Sequence, residues 1–144
     1  MQIEYRLMDK LGKLEQVRKR KLERYLQKDN PTTLTTTQLV VLQYIIKESK
    51  IRNVYCKDLE VFFDIKSSSV NSMVNYLESA GYISREPVPE DGRLRKLVVA
   101  KKGWELEEWV CGRIDEFIVS TYNKLTDEEQ RTLENLWDKL LRDF

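Results

Sequence analysis

With 144 residues, 41% of them hydrophobic and 34% charged, the chain holds enough apolar material for one domain with a real core. No run approaches the roughly 18 to 20 consecutive apolar residues of a membrane span, and the charged beginning lacks the apolar stretch of a secretion signal, so no membrane role is expected and the expected location is cytoplasmic. There is no histidine, glycine is scarce, and Cys56 and Cys111 stand singly. That combination disfavours acid–base catalysis, phosphate-cradling loops, zinc ribbons and disulfide frameworks, so neither an enzyme nor a cofactor or metal site is expected.

The net charge of +1 conceals an uneven distribution. Residues 1–28 carry nine Lys/Arg against four Asp/Glu, residues 66–102 carry seven against four, and residues 103–144 carry five against eleven. Because phosphates respond to the local field, two basic regions are compatible with a nucleic-acid partner despite the neutral total. Solvated helix faces would account for the same charges without any target.

In chain order, Ile3, Leu7, Leu11, Leu14, Leu22, Tyr25 and Leu26 recur at three- and four-residue steps with Lys and Arg between them. This predicts an amphipathic helix over about 3–28, ended by Asp29-Asn30-Pro31. Thr35-Thr36-Thr37-Gln38 is a capping box opening a helix to about Ser49 that buries Leu39, Leu42, Ile45 and Ile46. After a short extended piece at Val54-Tyr55, Lys57 to Phe63 predicts a two-turn helix burying Leu59 and Phe62. Asp64-Ile65-Lys66 is the turn. The next helix, from Ser67 or Ser68 to Ala80, turns Val70, Val74 and Leu77 inward with Met73 beside them, and Gly81 suits a left-handed C-terminal position.

That spacing leaves Ser67, Ser68, Ser69, Asn71, Ser72 and Asn75 on the outer or N-terminal surface of the helix. Small hydroxyl and amide side chains let a helix approach a groove, donate to phosphates and, for Asn, pair bidentately with adenine. Capping and solvation explain them as well when they are taken alone.

Tyr82–Val88 and Arg95–Ala100 read as two strands around Pro89-Glu90-Asp91-Gly92. Arg93, Arg95 and Lys96 cluster beside that turn, where cationic side chains suit a narrow, negative minor groove. Asp91 is expected to hold the Arg93 guanidinium in an ion pair. An edge hairpin defended by charge against aggregation is the plainer explanation. From Gly103 to about Tyr122 a fifth helix is expected to carry Leu106, Trp109, Val110, Phe117 and Ile118 as an apolar stripe. A second capping box at Thr126 opens a sixth helix with Leu133, Leu136, Trp137, Leu140 and Leu141.

The order helix, turn, polar helix, basic hairpin is the layout of a winged helix-turn-helix, whose second helix enters the major groove. The fold class is mainly α with a small β-hairpin wing, the winged region spanning 35–100. The long helices of 1–30 and 103–144 have more apolar surface than such a core can cover, so a second copy is expected. Double-stranded DNA is the expected partner; a winged-helix module for protein contacts is the alternative. RNA is disfavoured because no aromatic stacking surface is evident.

Several stretches resemble the MarR family of bacterial winged helix-turn-helix regulators: Leu34-Thr35, Lys57-Asp58-Leu59, Ser68-Ser69-Val70-Asn71, Leu77-Glu78-Ser79-Ala80-Gly81-Tyr82-Ile83, and Asp91-Gly92-Arg93 followed by Gly103. The resemblance implies a homodimer interlocked through its first, fifth and sixth helices and binding a pseudo-palindromic operator, as a repressor. It implies groove-facing roles for Ser68, Ser69, Asn71, Ser72 and Asn75, with Asp91 and Arg93 as the wing pair. Members are often released by small anionic or aromatic molecules bound between the dimer helices and the winged domain. Tyr25, Trp104 and Trp109 are conceivable lining residues here, although aromatics at helical spacing are more often core. Where relatives often have Arg, this chain has Ser72 and Tyr76, and Ala100 replaces a capping Thr. Some members sense oxidants through cysteine, and a helix start at Cys56 favours a lower pKa, but no second cysteine lies near it in sequence, so Cys56 and Cys111 are expected to be ordinary reduced thiols.

Overall fold

The computed structural model describes residues 2–144, with side chains from Glu4 onward. Six helices and one hairpin follow in the order α1 (Gln2–Gln27), α2 (Thr36–Ser49), α3 (Cys56–Phe63), α4 (Ser67–Ser79), β1 (Ile83–Val88), β2 (Asp91–Val99), α5 (Lys101–Tyr122) and α6 (Asp127–Leu141). The side chain of Ile3, expected on the α1 stripe, lies outside the described residues.

Local chemistry sets the boundaries. After α1, Asp29 takes a left-handed conformation (φ 56°) and Asn30 Oδ1 accepts both the Thr32 backbone N–H (2.9 Å) and its hydroxyl (2.8 Å), folding the chain back toward α2. At the start of α2 the Gln38 N–H donates to Thr35 Oγ1 (3.2 Å) while Gln38 Oε1 accepts from the Thr35 N–H (2.9 Å), the reciprocal box expected there. The same exchange at Thr126 and Glu129 opens α6. Asp58 fixes the start of α3 by accepting from the Tyr55 N–H (2.8 Å) and from Arg52 (2.9 Å). Asp64 leaves α3 in the left-handed region (φ 51°), and Gly81 does so after α4 (φ 88°), where a side chain would be strained.

Packing centres on α2, whose Leu39, Leu42, Ile45 and Ile46 are fully buried. Around it close Leu59 of α3, Val70, Val74 and Leu77 of α4, Ile83, Leu97 and Val99 of the hairpin, and Leu106, Val110 and Ile114 of α5. The Leu97 N–H donates to the Val54 carbonyl (2.7 Å), so the extended piece before α3 is a third rung beside β2. On α1, Leu26 is buried, and Lys21 Nζ and the Arg113 guanidinium tie α1 to α5 through Thr121 Oγ1 (3.0 Å) and the Tyr25 carbonyl (3.2 Å).

Several expectations are corrected. Phe62 is 64% exposed and Phe63 is the residue that packs toward the core. Cys56, Leu59 and Phe63 share one face of α3 at i, i+3 and i+7, and Phe62 turns off that line to lie against the Tyr44 ring (4.4 Å between centroids). On α5 the inward position is Ile114, while Ile118 is 43% exposed. Leu106, Val110, Ile114 and Phe117 follow the 3.6 period strictly, and Ile118 drifts off that line. The α6 stripe has no buried residue, and Leu7, Leu11 and Leu14 of α1 are exposed too. The apolar faces expected to be in excess are therefore uncovered in the single chain.

Candidate nucleic-acid interface

Burial of Val70, Val74 and Leu77 fixes the rotation of α4 and turns Ser67, Ser68, Ser69, Asn71, Ser72 and Asn75 outward, all six exposed. Lys66 occupies the N-cap with no side-chain cap bond, so Ser67 and Ser68 are not used for capping. Among the described residues none of the six side chains hydrogen-bonds within the protein, whereas Ser79, near the helix end, donates to the Tyr76 carbonyl (3.0 Å). Their hydroxyls and amides are free for phosphate oxygens and base edges.

The hairpin supplies the cationic part, with a different bend from the one expected. Val88 pairs with Asp91, so the connection is only Pro89-Glu90, and Asp91 to Leu94 already belong to β2. Pro87 pairs with Arg95, so Gly92 to Leu94 bulge between these two rungs. Asp91 does not hold the Arg93 guanidinium: its Oδ1 accepts the Arg93 backbone N–H (3.0 Å), shaping the bend instead. Arg93 and Arg95 are exposed, and among the described residues neither guanidinium is in an ion pair. Lys96 is half-buried and sits opposite Glu86. Consecutive strand residues point to opposite faces, so Lys96 does not join Arg95 in one cluster.

One device that sequence reasoning missed joins the two halves. Glu78, in the last turn of α4, accepts from the Arg85 guanidinium (2.7 Å) with one oxygen and from the Arg85 backbone N–H (3.1 Å) with the other. This pair of hydrogen bonds sets the hairpin against the polar helix. Opposite charges seven residues apart across a turn carry no periodic signal, so only the folded geometry reveals them.

The cysteines are not activated. Cys56 is the first residue of α3, yet burial pushes its thiol above the ordinary range, with Arg85 countering only in part. Burial also raises Cys111, with Glu107 adding to the effect. Desolvation, which penalises the thiolate, is the largest cause at both positions, so the start of α3 leaves Cys56 with no lowered pKa. Among the described residues no group of three or more His, Cys, Asp or Glu is placed to hold a metal ion. No helix among them is long and apolar enough to cross a membrane.

A cleft of about 830 Å³ lies between α1 and α2, lined by Arg18, Lys19, Leu22, Thr33, Thr36 and Phe63 among others. The three aromatics considered as lining residues are elsewhere. Tyr25 packs edge-on against Phe117 (6.0 Å between centroids), Trp104 is 40% exposed, and Trp109 lies under the Arg113 guanidinium (5.3 Å) beside a smaller cleft.

Residues 32–94, which run from the approach to α2 through the hairpin bend, match the sequence model of the MarR family. This region belongs to the MarR family. The MarR fold extends over nearly the whole chain. The transcription regulator MarR from Oenococcus oeni PSU-1 is similar at 26% identity with a TM-score of 0.77, covering 94% of this chain and 98% of that one. A cysteine-to-serine mutant of MarR from E. coli, complexed with operator DNA, is similar at 24% identity with a TM-score of 0.75, covering 94% and 93%. A putative MarR family transcriptional regulator from Listeria monocytogenes, complexed with 26mer DNA, shares the fold at a TM-score of 0.78 and 15% identity, covering 94% and 87%. No curated protein matches the sequence.

Proposed function

We propose that this chain is a transcriptional regulator of the MarR family that binds double-stranded DNA as a homodimer, acting by binding and not by catalysis. The observation that carries this reading is the pairing, on one winged unit, of an outward helix face of six unpartnered small polar side chains with two unpaired arginines at the hairpin. Ser67, Ser68, Ser69, Asn71, Ser72 and Asn75 enter the major groove. Arg93 and Arg95 reach the adjacent minor groove or backbone, Lys96 adds charge from the other face, and Asp91 shapes the bend. The two solved relatives complexed with DNA support the assignment.

In this reading residues 35–100 form the DNA-binding unit, and residues 1–30 and 103–144 form the dimer scaffold. Leu7, Leu11, Leu14, Leu136, Leu140 and Leu141 are exposed on α1 and α6, and a second copy would bury them. The basic first helix and the acidic C-terminal helices also complement each other in charge across such an interface. The dimer presents two recognition helices about one helical turn apart, roughly 34 to 36 Å, to a pseudo-palindromic operator. It acts in the cytoplasm as a repressor, released when a small aromatic or anionic effector in the α1–α2 cleft changes that spacing.

Fluorescence anisotropy with duplexes selected from a randomised library, repeated across salt concentrations, tests this. Arg93→Ala lowers the salt slope by about one, and Asn71→Ala lowers sequence preference while leaving the slope unchanged. Sedimentation shows a dimer at micromolar concentration that Leu140→Glu weakens. Failure to retain any duplex at low salt, or a monomer at that concentration, refutes the proposal. The first of these outcomes would favour the protein-contact module, for which Ile51, Val61 and Phe62 offer exposed apolar side chains.

A further inference from the structure

The end of α4 and the start of α5 are joined by contacts that none of the DNA-facing residues makes. Lys102, in the first turn of α5, donates from Nζ to the Ala80 carbonyl at the C-cap of α4 (2.9 Å). The same ammonium lies 4.5 Å from the centroid of the Tyr82 ring, and Tyr82 is buried. The lysine stem crosses Gly81, whose missing Cβ would stand 3.7 Å from Lys102 Cδ. Beneath it the Ala100 N–H donates to the Tyr82 carbonyl (2.9 Å). The charge thus sits at the negative end of the α4 macrodipole, on a carbonyl that no further helical turn can satisfy.

We infer that Lys102 is a positioning residue that clasps the C-terminal end of the recognition helix to α5, so that the two move as one body. The inference rests on the DNA-binding reading. Its physical content is a lever. Helix α5 is anchored to α1 by the Lys21 and Arg113 bonds and to the end of α2 by the Lys50–Glu107 ion pair. The clasp passes any tilt of α5 directly to α4. The Tyr82 ring supplies a cation–π contact that holds the ammonium over the helix end when Lys102 would otherwise be free to rotate in solvent. In this role Lys102 acts on a helix terminus and an aromatic face within the protein and not on a phosphate, and this distinction makes the role measurable.

The test compares the full-length Lys102→Met and Lys102→Arg proteins with wild type, and Lys101→Met serves as the control from an exposed neighbour. Two readouts are taken: affinity for the library-selected duplex across salt, and amide hydrogen exchange at Gly81 and Tyr82, whose N–H groups bond the Glu78 and Leu77 carbonyls (3.0 and 2.9 Å). Lys102→Met is expected to weaken binding on the order of tenfold with an unchanged salt slope. It is also expected to speed exchange at Gly81 and Tyr82 while the α2 core stays as protected as in wild type. Lys102→Arg restores both, because a guanidinium can donate to the same carbonyl and lie on the same ring. Lys101→Met changes neither exchange nor affinity beyond the small loss of one surface charge. Unchanged exchange in Lys102→Met overturns the clasp even without DNA. Unchanged affinity overturns the lever, and a slope lowered by about one makes Lys102 an ordinary phosphate contact. If wild type selects no duplex, the DNA-binding reading falls, while the exchange result still decides whether the clasp exists.

Discussion

Gly103 gives the sharpest test of how α5 meets the wing. A Cβ built there would stand 2.5 Å from the Tyr82 carbonyl oxygen and 2.8 Å from Val99 Cγ1, and the first is a backbone atom that cannot rotate away. Helix propensity alone says that Gly103→Ala stabilises α5 by up to about 1 kcal/mol. The geometry says the reverse. Forcing a methyl group into this contact costs about 1–3 kcal/mol by overpacking, and displacing the Tyr82 carbonyl weakens its bond from the Ala100 N–H by about 1 kcal/mol. The net expectation is a loss of about 1–3 kcal/mol. Urea unfolding at one fixed protein concentration measures it, since the stability of an oligomer depends on concentration. Gly112→Ala in the same helix is the comparison: no atom lies within 4 Å of its would-be Cβ, so only the propensity gain remains. A Gly103→Ala midpoint at or above wild type, with an unchanged slope, would refute the close-approach reasoning.

Two further outcomes follow from local chemistry. Thr35→Ala removes the hydroxyl that accepts the Gln38 N–H at the start of the most buried helix, and is expected to cost about 1 kcal/mol in denaturant unfolding; no change would mean the box is ornamental. Burial raises both thiols, so the folded protein favours the neutral form. That contribution to stability is complete below the ordinary thiol range and is lost as pH rises through the raised values. Alkylation by iodoacetamide at pH 7 should therefore be slower in the native protein than in urea at both cysteines, and faster native labelling of Cys56 would show an activated thiolate instead.

Much of the architecture was legible because it is written in local spacing. The capping boxes at Thr35 and Thr126, the 3.6-residue period through Val70, Val74 and Leu77, and the glycine after α4 each act within one or two turns of chain, and all stand where expected. The outward set on α4 was legible for the same reason, since three buried positions on a helix dictate which others face away. The hairpin bend was less so. A four-residue turn and a two-residue turn followed by a bulge use the same Pro-Glu-Asp-Gly composition, and cross-strand register decides between them. That register also divides Arg95 from Lys96.

What the chain determined alone was therefore its elements, their order, and the apolar faces left over on α1 and α6, because these depend on neighbours in sequence. Only the tertiary structure decided that Phe63 packs in place of Phe62, that Asp91 bonds a backbone N–H, and that Glu78, Arg85 and Lys102 bind the recognition helix to the hairpin and to α5. The Glu78–Arg85 and Lys102–Ala80 bonds join groups 7 and 22 residues apart, and hydrogen bonds form only at the few ångströms that folding brings about, while the Asp91 bond depends on the bend that cross-strand register selects.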